Sequence, residues 1–166
     1  MVQRDVAVAV GFARMALASR WVDHVWQLVS MAPAGQMPAG AQLVCDNLTL
    51  RLFADEADNY LLNLSAEVPM LFVVYRLEDE IPVVQMVTVS YGEAARMLDS
   101  GECVEGVPLP ADLLGWVEDY ARHYFQPPEK KLKNKRYASS RIVSKAVSHA
   151  VSHAVSHAVS QDVQPS

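Results

Sequence analysis

The chain has 166 residues, of which 51% are hydrophobic, and its formal net charge at pH 7 is −5. Its longest apolar run, at residues 70–75, is far shorter than the roughly 18 to 20 residues of a membrane-spanning helix, so we expect no membrane segment. The start of the chain lacks the pattern of a secretory signal, which favours a cytoplasmic protein. Cys45 and Cys103 form no Cys-x-x-Cys pair, so we expect two buried, reduced cysteines rather than a disulfide or a zinc site.

The first strands are predicted from residues that alternate between two faces. Val6, Val8, Val10 and Phe12 share one side of a period-two pattern, and the small residues between them suggest that something approaches the other side closely. A second strand is predicted within residues 21–31. Pro and Gly at residues 33–40 then predict a loop with nothing to bury.

The middle of the chain shows further alternation that predicts hairpins. Residues 48–53 alternate, and so do Tyr60, Leu62 and Leu64 after the acidic stretch Asp55-Glu56-Ala57-Asp58, which we interpret as a turn between two strands. The segments 70–76 and 82–89 have the strongest strand character. We therefore predict an antiparallel meander sheet of about six strands.

Two helices are predicted after the sheet. Ser90 and Glu93 have the spacing of a capping box, and Gly101 provides a stop, which predicts a helix at 91–99. A second helix at 111–125 follows from an apolar stripe, and Pro127-Pro128 ends it. The predicted fold class is α+β, with both C-terminal helices packed on the sheet.

Charge is divided unevenly along the chain. Residues 1–129 carry seven Lys/Arg against eighteen Asp/Glu, a net charge of −11, whereas residues 130–166 carry seven against one, a net charge of +6. The second segment is poor in bulky apolar residues and contains Ala-Val-Ser-His repeats. This pattern predicts one domain at 1–129 followed by a disordered basic tail at 130–166.

No pattern of residues predicts a catalytic or metal site. His149, His153 and His157 have the helical spacing of metal ligands, but their repeat is a poor helix former, so we assign no metal or cofactor. His24 and His123 accompany no nucleophile signature, and we name no catalytic residue. The tail could bind nucleic acid by releasing counterions, although the acidic domain beside it would repel a polyanion.

Aromatic residues are the best candidates for a contact surface, because exposed aromatic side chains commonly anchor protein interfaces. They lie in two segments, one near the start of the chain and one on the predicted second helix. The candidate partner-binding residues are Trp21, His24, Trp26, Trp116, Tyr120 and Tyr124. Homodimerisation through a free sheet edge is also possible.

Three stretches of the chain resemble a small bacterial family known as domain of unknown function 3305. They are residues 20–26 (RWVDHVW), 50–76 (LRLFADEADNYLLNLSAEVPMLFVVYR) and 87–124 (VTVSYGEAARMLDSGECVEGVPLPADLLGWVEDYARHY), and the likeness extends over residues 4–136 with Pro127-Pro128 and the Lys/Arg cluster. The family has no established catalytic residues. The resemblance implies a gene context, because genes of this family tend to lie beside those of molybdenum-dependent formate dehydrogenases, with iron–sulfur and maturation proteins nearby.

The resemblance implies a non-catalytic accessory protein for a molybdenum formate dehydrogenase, with an enzyme subunit or a maturation factor as its partner. Names given to some relatives imply an alternative, a small cofactor- or nucleotide-binding enzyme of molybdopterin metabolism. The chain lacks the glycine-rich loop that such nucleotide chemistry needs. Nucleic-acid binding through the tail is a third possibility.

Overall fold

The computed structural model of the protein describes residues 2–128. Within this range the elements are β1 Asp5–Ala16, β2 His24–Pro33, β3 Leu43–Arg51, α1 Ala57–Leu64, β4 Met70–Glu78, β5 Ile81–Thr88, α2 Tyr91–Asp99, β6 Cys103–Pro108 and α3 Ala111–Tyr124. A single 3-10 turn at Ala54–Glu56 precedes α1. The predicted α+β class and the antiparallel pairing are confirmed, and five of the six predicted strands are present; the predicted tail lies outside the described residues.

The six strands divide into two three-stranded sheets rather than forming one meander. Their orders are β2-β1-β3 and β5-β4-β6, and every pairing is antiparallel. Because β3 lies against β5 and β6 lies against β2, the strands follow one another around a ring. The ring encloses one core and so buries the inner faces of both sheets, which a single open sheet would have left uncovered. The central strands contribute Val8, Val10 and Phe12 from β1 and Leu71, Val73 and Tyr75 from β4.

The two sheets repeat one structural plan. In each, the first strand lies in the centre, pairs with the second through a hairpin and with the third on its other side, and a helix follows the third strand. The hairpin register shifts at Gly11/Phe12 in the first sheet and at Val74/Tyr75 in the second. Phe12 and Tyr75 are therefore equivalent positions of two related halves.

The two ends of the ring differ. At one end α1 packs against α3, and Tyr60 and Tyr120 meet edge to face with ring centroids 6.4 Å apart. At the other end lie the β1–β2 connection, residues 17–23, and the β4–β5 turn formed by Asp79 and Glu80. We call these the helical end and the hairpin end.

The outer faces of the two central strands are also covered. Phe72 and Val74 of β4 pack under α2. On β1, a Cβ placed on Gly11 would lie 2.5 Å from the Cβ of Ala41 and 2.9 Å from that of Pro38. The close approach predicted for this face is confirmed, and the loop of small residues that we expected to bury nothing is what covers it.

One predicted strand is a helix. Residues 57–64 form α1, in which Ala57, Tyr60 and Asn63 are buried, and the acidic stretch before them is a helix start rather than a hairpin turn. The apolar residues from Tyr60 to Leu64 fit both the two-residue period of a strand and the 3.6-residue period of a helix. The contact of Tyr60 with Tyr120 of α3 favours the helix.

Both predicted helices are confirmed, whereas β6 was not predicted. The Ser90 Oγ accepts a hydrogen bond from the Glu93 N–H at 3.1 Å and caps α2, which ends at Asp99. In a full capping box the Glu93 side chain would accept a hydrogen bond from the Ser90 N–H. Here the Ser90 N–H donates instead to the Thr88 Oγ1 at 3.0 Å. β6 contains Glu105, Gly106 and Pro108, which do not follow a strand pattern, and its pairing with β4 forms it.

Candidate functional site

A pocket of about 380 Å³ opens at the hairpin end of the ring. It lies between the start of β2, the end of β4 and the β4–β5 turn. Its lining residues are Trp21, Val22, Asp23, His24, Val25, Trp26, Tyr75, Leu77 and Glu80. The structure therefore brings the first predicted aromatic segment together with three residues that the sequence analysis did not select, Tyr75, Leu77 and Glu80.

Trp26 forms a fixed wall of the pocket. Its Nε1–H donates to the backbone oxygen of Glu80 at 2.9 Å, which ties β2 to the β4–β5 turn. The guanidinium carbon of Arg14 lies 4.9 Å from the indole centroid, within the range of a cation–π contact. The ring of His24 meets Trp26 edge to face at 6.1 Å. These contacts hold the indole in place without a ligand.

The rim of the pocket exposes large apolar side chains. Trp21 is 89% exposed, Leu77 57% and Val22 46%. An exposed tryptophan beside a formed aromatic pocket is typical of interface anchors, because its burial on binding removes a large apolar area from water. Carboxylates flank this apolar rim at Asp23 and Glu80.

A carboxylate lies next to the floor of the pocket. Glu105 of β6 accepts a hydrogen bond from the Leu28 N–H of β2 at 2.7 Å and another from the Tyr75 hydroxyl at 3.2 Å. It thus links β6 to β2, which belong to different sheets. Burial raises the pKa of the Glu105 carboxyl, and the hydrogen bonds from Leu28 and Tyr75 oppose that rise. Burial also raises the pKa of the Tyr75 hydroxyl, which stays protonated and acts as a donor.

The raised pKa of Glu105 predicts a specific pH dependence of stability. A carboxyl that binds its proton more tightly when folded contributes more stability as the pH falls through its folded pKa, and this contribution is complete below its unfolded value near 4.5. Glu105→Gln keeps an acceptor for the Leu28 N–H and has no charge. We expect this variant to be more stable than the wild type at pH 7 and to lose that advantage as the pH approaches 4.5, as measured by urea unfolding at several pH values.

Glu105→Ala is the control for the hydrogen bond. It leaves the Leu28 N–H without its partner and should lower the free energy of unfolding by about 1 to 3 kcal/mol at pH 7. If Glu105→Gln were less stable than the wild type at pH 7, and this deficit shrank as the pH fell toward 4.5, the assigned direction of the shift would be wrong.

The second predicted aromatic segment lies elsewhere, at the helical end. The Trp116 Nε1–H donates to the backbone oxygen of Gln3 at 2.8 Å, and Tyr124 is 37% exposed. Tyr120 is only 3% exposed, and its hydroxyl donates to the Leu52 oxygen at 3.2 Å. Tyr120 therefore lacks the exposed surface expected of a contact residue, because the packing of α3 on the core buries it.

The acidic stretch before α1 has a structural role through Glu56. Its carboxylate accepts hydrogen bonds from the Ser90 hydroxyl at 2.5 Å, from Asn59 at 2.8 Å and from Arg96 at 2.9 Å. Burial alone would raise the pKa of Glu56, but the bonds from Ser90, Arg96 and Asn59 together lower it. Glu56 thus joins the start of α1 to α2.

The described residues bear on three further expectations. Within residues 2–128 no three His, Cys, Asp or Glu side chains are grouped as metal ligands would be. Both cysteines are free; Cys45 is half-buried, but Cys103 is exposed, so its predicted burial is wrong. None of the helices in this range is long and apolar enough to cross a membrane. The histidines at 149, 153 and 157 lie outside the described residues.

The fold and the site define a small α+β protein with an aromatic pocket at one end of a ring of six strands. The chain belongs to the family described as "Protein of unknown function (DUF3305)", whose model matches residues 7–135. The resemblance found in the sequence is thus confirmed for the family itself. No curated protein and no solved structure matches the chain.

Proposed function

We propose that the protein is a non-catalytic binding module that contacts a partner protein through the pocket at the hairpin end. The observation that carries this proposal is Trp21, which is 89% exposed beside a pocket whose aromatic wall is already fixed. Keeping such a side chain in water is unfavourable, and its burial against a partner would contribute to affinity.

The proposed partner is a subunit or maturation factor of a molybdenum-dependent formate dehydrogenase. This part of the proposal rests on the gene neighbourhood that the family resemblance implies. Such a role requires a surface that recognises another protein and needs no reaction at the pocket. The proposed location is the cytoplasm, where such enzymes are assembled.

The test is a pull-down from native lysate with the full chain tagged at its N-terminus, with bound proteins identified by mass spectrometry. We expect recovery of formate dehydrogenase subunits or maturation factors. Trp21→Ala should weaken binding by about 2 kcal/mol, roughly thirtyfold, as expected for a tryptophan anchor.

Met37→Ala is the matched control, because Met37 is 74% exposed and does not line the pocket. It should leave recovery unchanged. Equal loss of binding in both variants would remove the pocket from the proposal. Unchanged formate dehydrogenase activity in a deletion strain, together with no recovered subunits, would remove the accessory role.

The pocket volume supports one alternative function, the binding of a small cofactor or nucleotide. About 380 Å³ lies within the range of small-ligand sites, roughly 300 to 1,000 Å³, and the pocket is lined by aromatic side chains with the polar residues His24, Asp23 and Glu80 among them. A saturable change in tryptophan fluorescence on addition of GTP or a reduced pterin would favour a cofactor- or nucleotide-binding enzyme of molybdopterin metabolism. Nucleic-acid binding concerns the tail, outside the described residues, and would show affinity that falls steeply with salt.

A further inference from the structure

A second depression, of about 410 Å³, lies at the helical end beside the C-terminus of α3. It is lined by Ala54, Asp55, Ala57, Asp58, Tyr124 and Gln126. Next to these residues in the chain, Phe53 is 43% exposed and Phe125 is 37% exposed. We call this surface the acid–aromatic face. It combines exposed carboxylates with exposed aromatic rings and is separate from the pocket at the hairpin end.

The carboxylates of this face carry negative charge that the described part of the chain does not neutralise by ion pairing. Asp55 and Asp58 are exposed, and neither pairs with a cation within residues 2–128. Of the nearby arginines, Arg96 pairs with Glu56 at 2.9 Å and Arg122 pairs with Glu118 at 2.5 Å. Arg4, whose backbone oxygen accepts a hydrogen bond from the Leu52 N–H, forms no ion pair within the described residues, and the two carboxylates outnumber it. A basic segment with an apolar residue would match the face in both charge and polarity.

The chain itself supplies such a segment directly after the face. Residues 130–137 read Lys-Lys-Leu-Lys-Asn-Lys-Arg-Tyr, and no lysine precedes Lys130. Gln126 lines the face, so Lys130 is four residues away, at most about 14 Å of extended chain. The pocket at the hairpin end is farther, because β1 alone spans about 40 Å, whereas the chain from Gln126 to Lys133 reaches at most about 25 Å.

We propose that residues 130–137 dock on the acid–aromatic face of their own chain. The lysines pair with Asp55 and Asp58, and Leu132 packs against Tyr124. Each exposed ion pair is weak, but the short tether gives a millimolar effective concentration, so the intramolecular contact is populated where a free peptide would not bind. The contact covers the aromatic rings of the face, and any partner of that face must displace it.

Carbodiimide cross-linking of the full chain tests the proposal, because it joins carboxylates to amines in direct contact. All lysines of the chain lie at or beyond Lys130, so lysine cross-links report only on this part of the chain. We expect cross-links from Lys130, Lys131 and Lys133 to Asp55 and Asp58 at low salt. They should disappear near 1 M salt, where the screening length falls to about 3 Å. Cross-links spread evenly over the carboxylates of the domain would overturn the proposal.

A charge reversal locates the contact. Asp58→Arg replaces an attraction by a repulsion without adding a reactive amine, and the yield of cross-links to Asp55 should fall about three- to tenfold. Asp23→Arg makes the same change at the hairpin end and should leave that yield unchanged. Equal effects of the two variants would contradict the assigned face.

A mixture of isotope-labelled and unlabelled chains identifies whose segment docks. We expect each cross-linked product to carry a single isotope composition, because the segment and the face belong to one molecule. Products of mixed isotope composition would assign the contact to a second copy and overturn the intramolecular proposal.

Discussion

Replacing Asn63 with alanine should lower the free energy of unfolding by about 3 kcal/mol or more. Asn63 is 1% exposed and joins α1 to the second sheet. Its Nδ2 donates to the oxygens of Met70 at 2.7 Å and Val89 at 2.8 Å, and its Oδ1 accepts from the Met70 N–H at 3.0 Å. Alanine leaves these three backbone groups without a partner, and each such buried group costs about 1 to 3 kcal/mol. Denaturant unfolding followed by circular dichroism measures the loss.

Two further variants show whether hydrogen bonding is the cause. Asn63→Asp has nearly the same shape but turns an oxygen toward the Met70 and Val89 carbonyls, so it should also be strongly destabilising. Asn59→Ala removes a half-buried asparagine of the same helix with a single described hydrogen bond, to Glu56, and should cost about 0.5 to 1.5 kcal/mol. A loss of less than about 1 kcal/mol for Asn63→Ala would contradict its role as a clamp.

The elements that sequence reasoning predicted well are those whose signals are local. The cap at Ser90 and the stop at Gly101 fix α2, and the apolar stripe fixes α3. The alternation of β1 also predicts the environment of each of its faces. The large residues face the core, and Gly11 leaves room on the other face for the covering loop. In each case the residues that decide the structure are neighbours in the chain.

The elements that were missed or misassigned depend on distant contacts. α1 has an ambiguous period, and its packing against α3 makes it a helix. β6 has a charged residue and a glycine in a six-residue strand and exists because it completes the edge of β4. The division into two sheets depends on which strands pair with one another, and no pattern of residues in the sequence shows this pairing directly. The plan shared by the two sheets is likewise not apparent in the sequence, because it shows only in the strand order and in the register shifts at Phe12 and Tyr75.

The candidate site was only half predictable. Trp21, His24 and Trp26 are close in the chain, and their aromatic character marks them. The two hairpins end at the same side of the ring. Only this arrangement brings the distant residues Tyr75, Leu77 and Glu80 beside these aromatic residues. Glu105 gave no usable signal, because its strand does not follow a strand pattern and its partners Leu28 and Tyr75 are distant in the chain.

Phe12→Ala should lower the free energy of unfolding by about 3 to 5 kcal/mol, the range found when a buried aromatic side chain is truncated. Phe12 is completely buried and meets Tyr75 edge to face, with ring centroids 5.1 Å apart. This contact joins the two halves of the fold at equivalent positions, so the cavity opens between the sheets rather than within one. Denaturant unfolding gives the stability, and Phe53→Ala is the matched control because Phe53 is 43% exposed and its loss should cost less than about 1 kcal/mol.

The same variant tests whether the pocket depends on the core beneath it. Tyr75 lines the pocket and rests on Phe12, so a cavity in place of Phe12 should let Tyr75 move and weaken its bond to Glu105. Phe12→Leu fills most of the cavity and should cost about 1.5 kcal/mol or less, with the pocket retained. If Phe12→Ala and Phe53→Ala were equally destabilising, the contact between Phe12 and Tyr75 would not be what holds the two halves of the fold together.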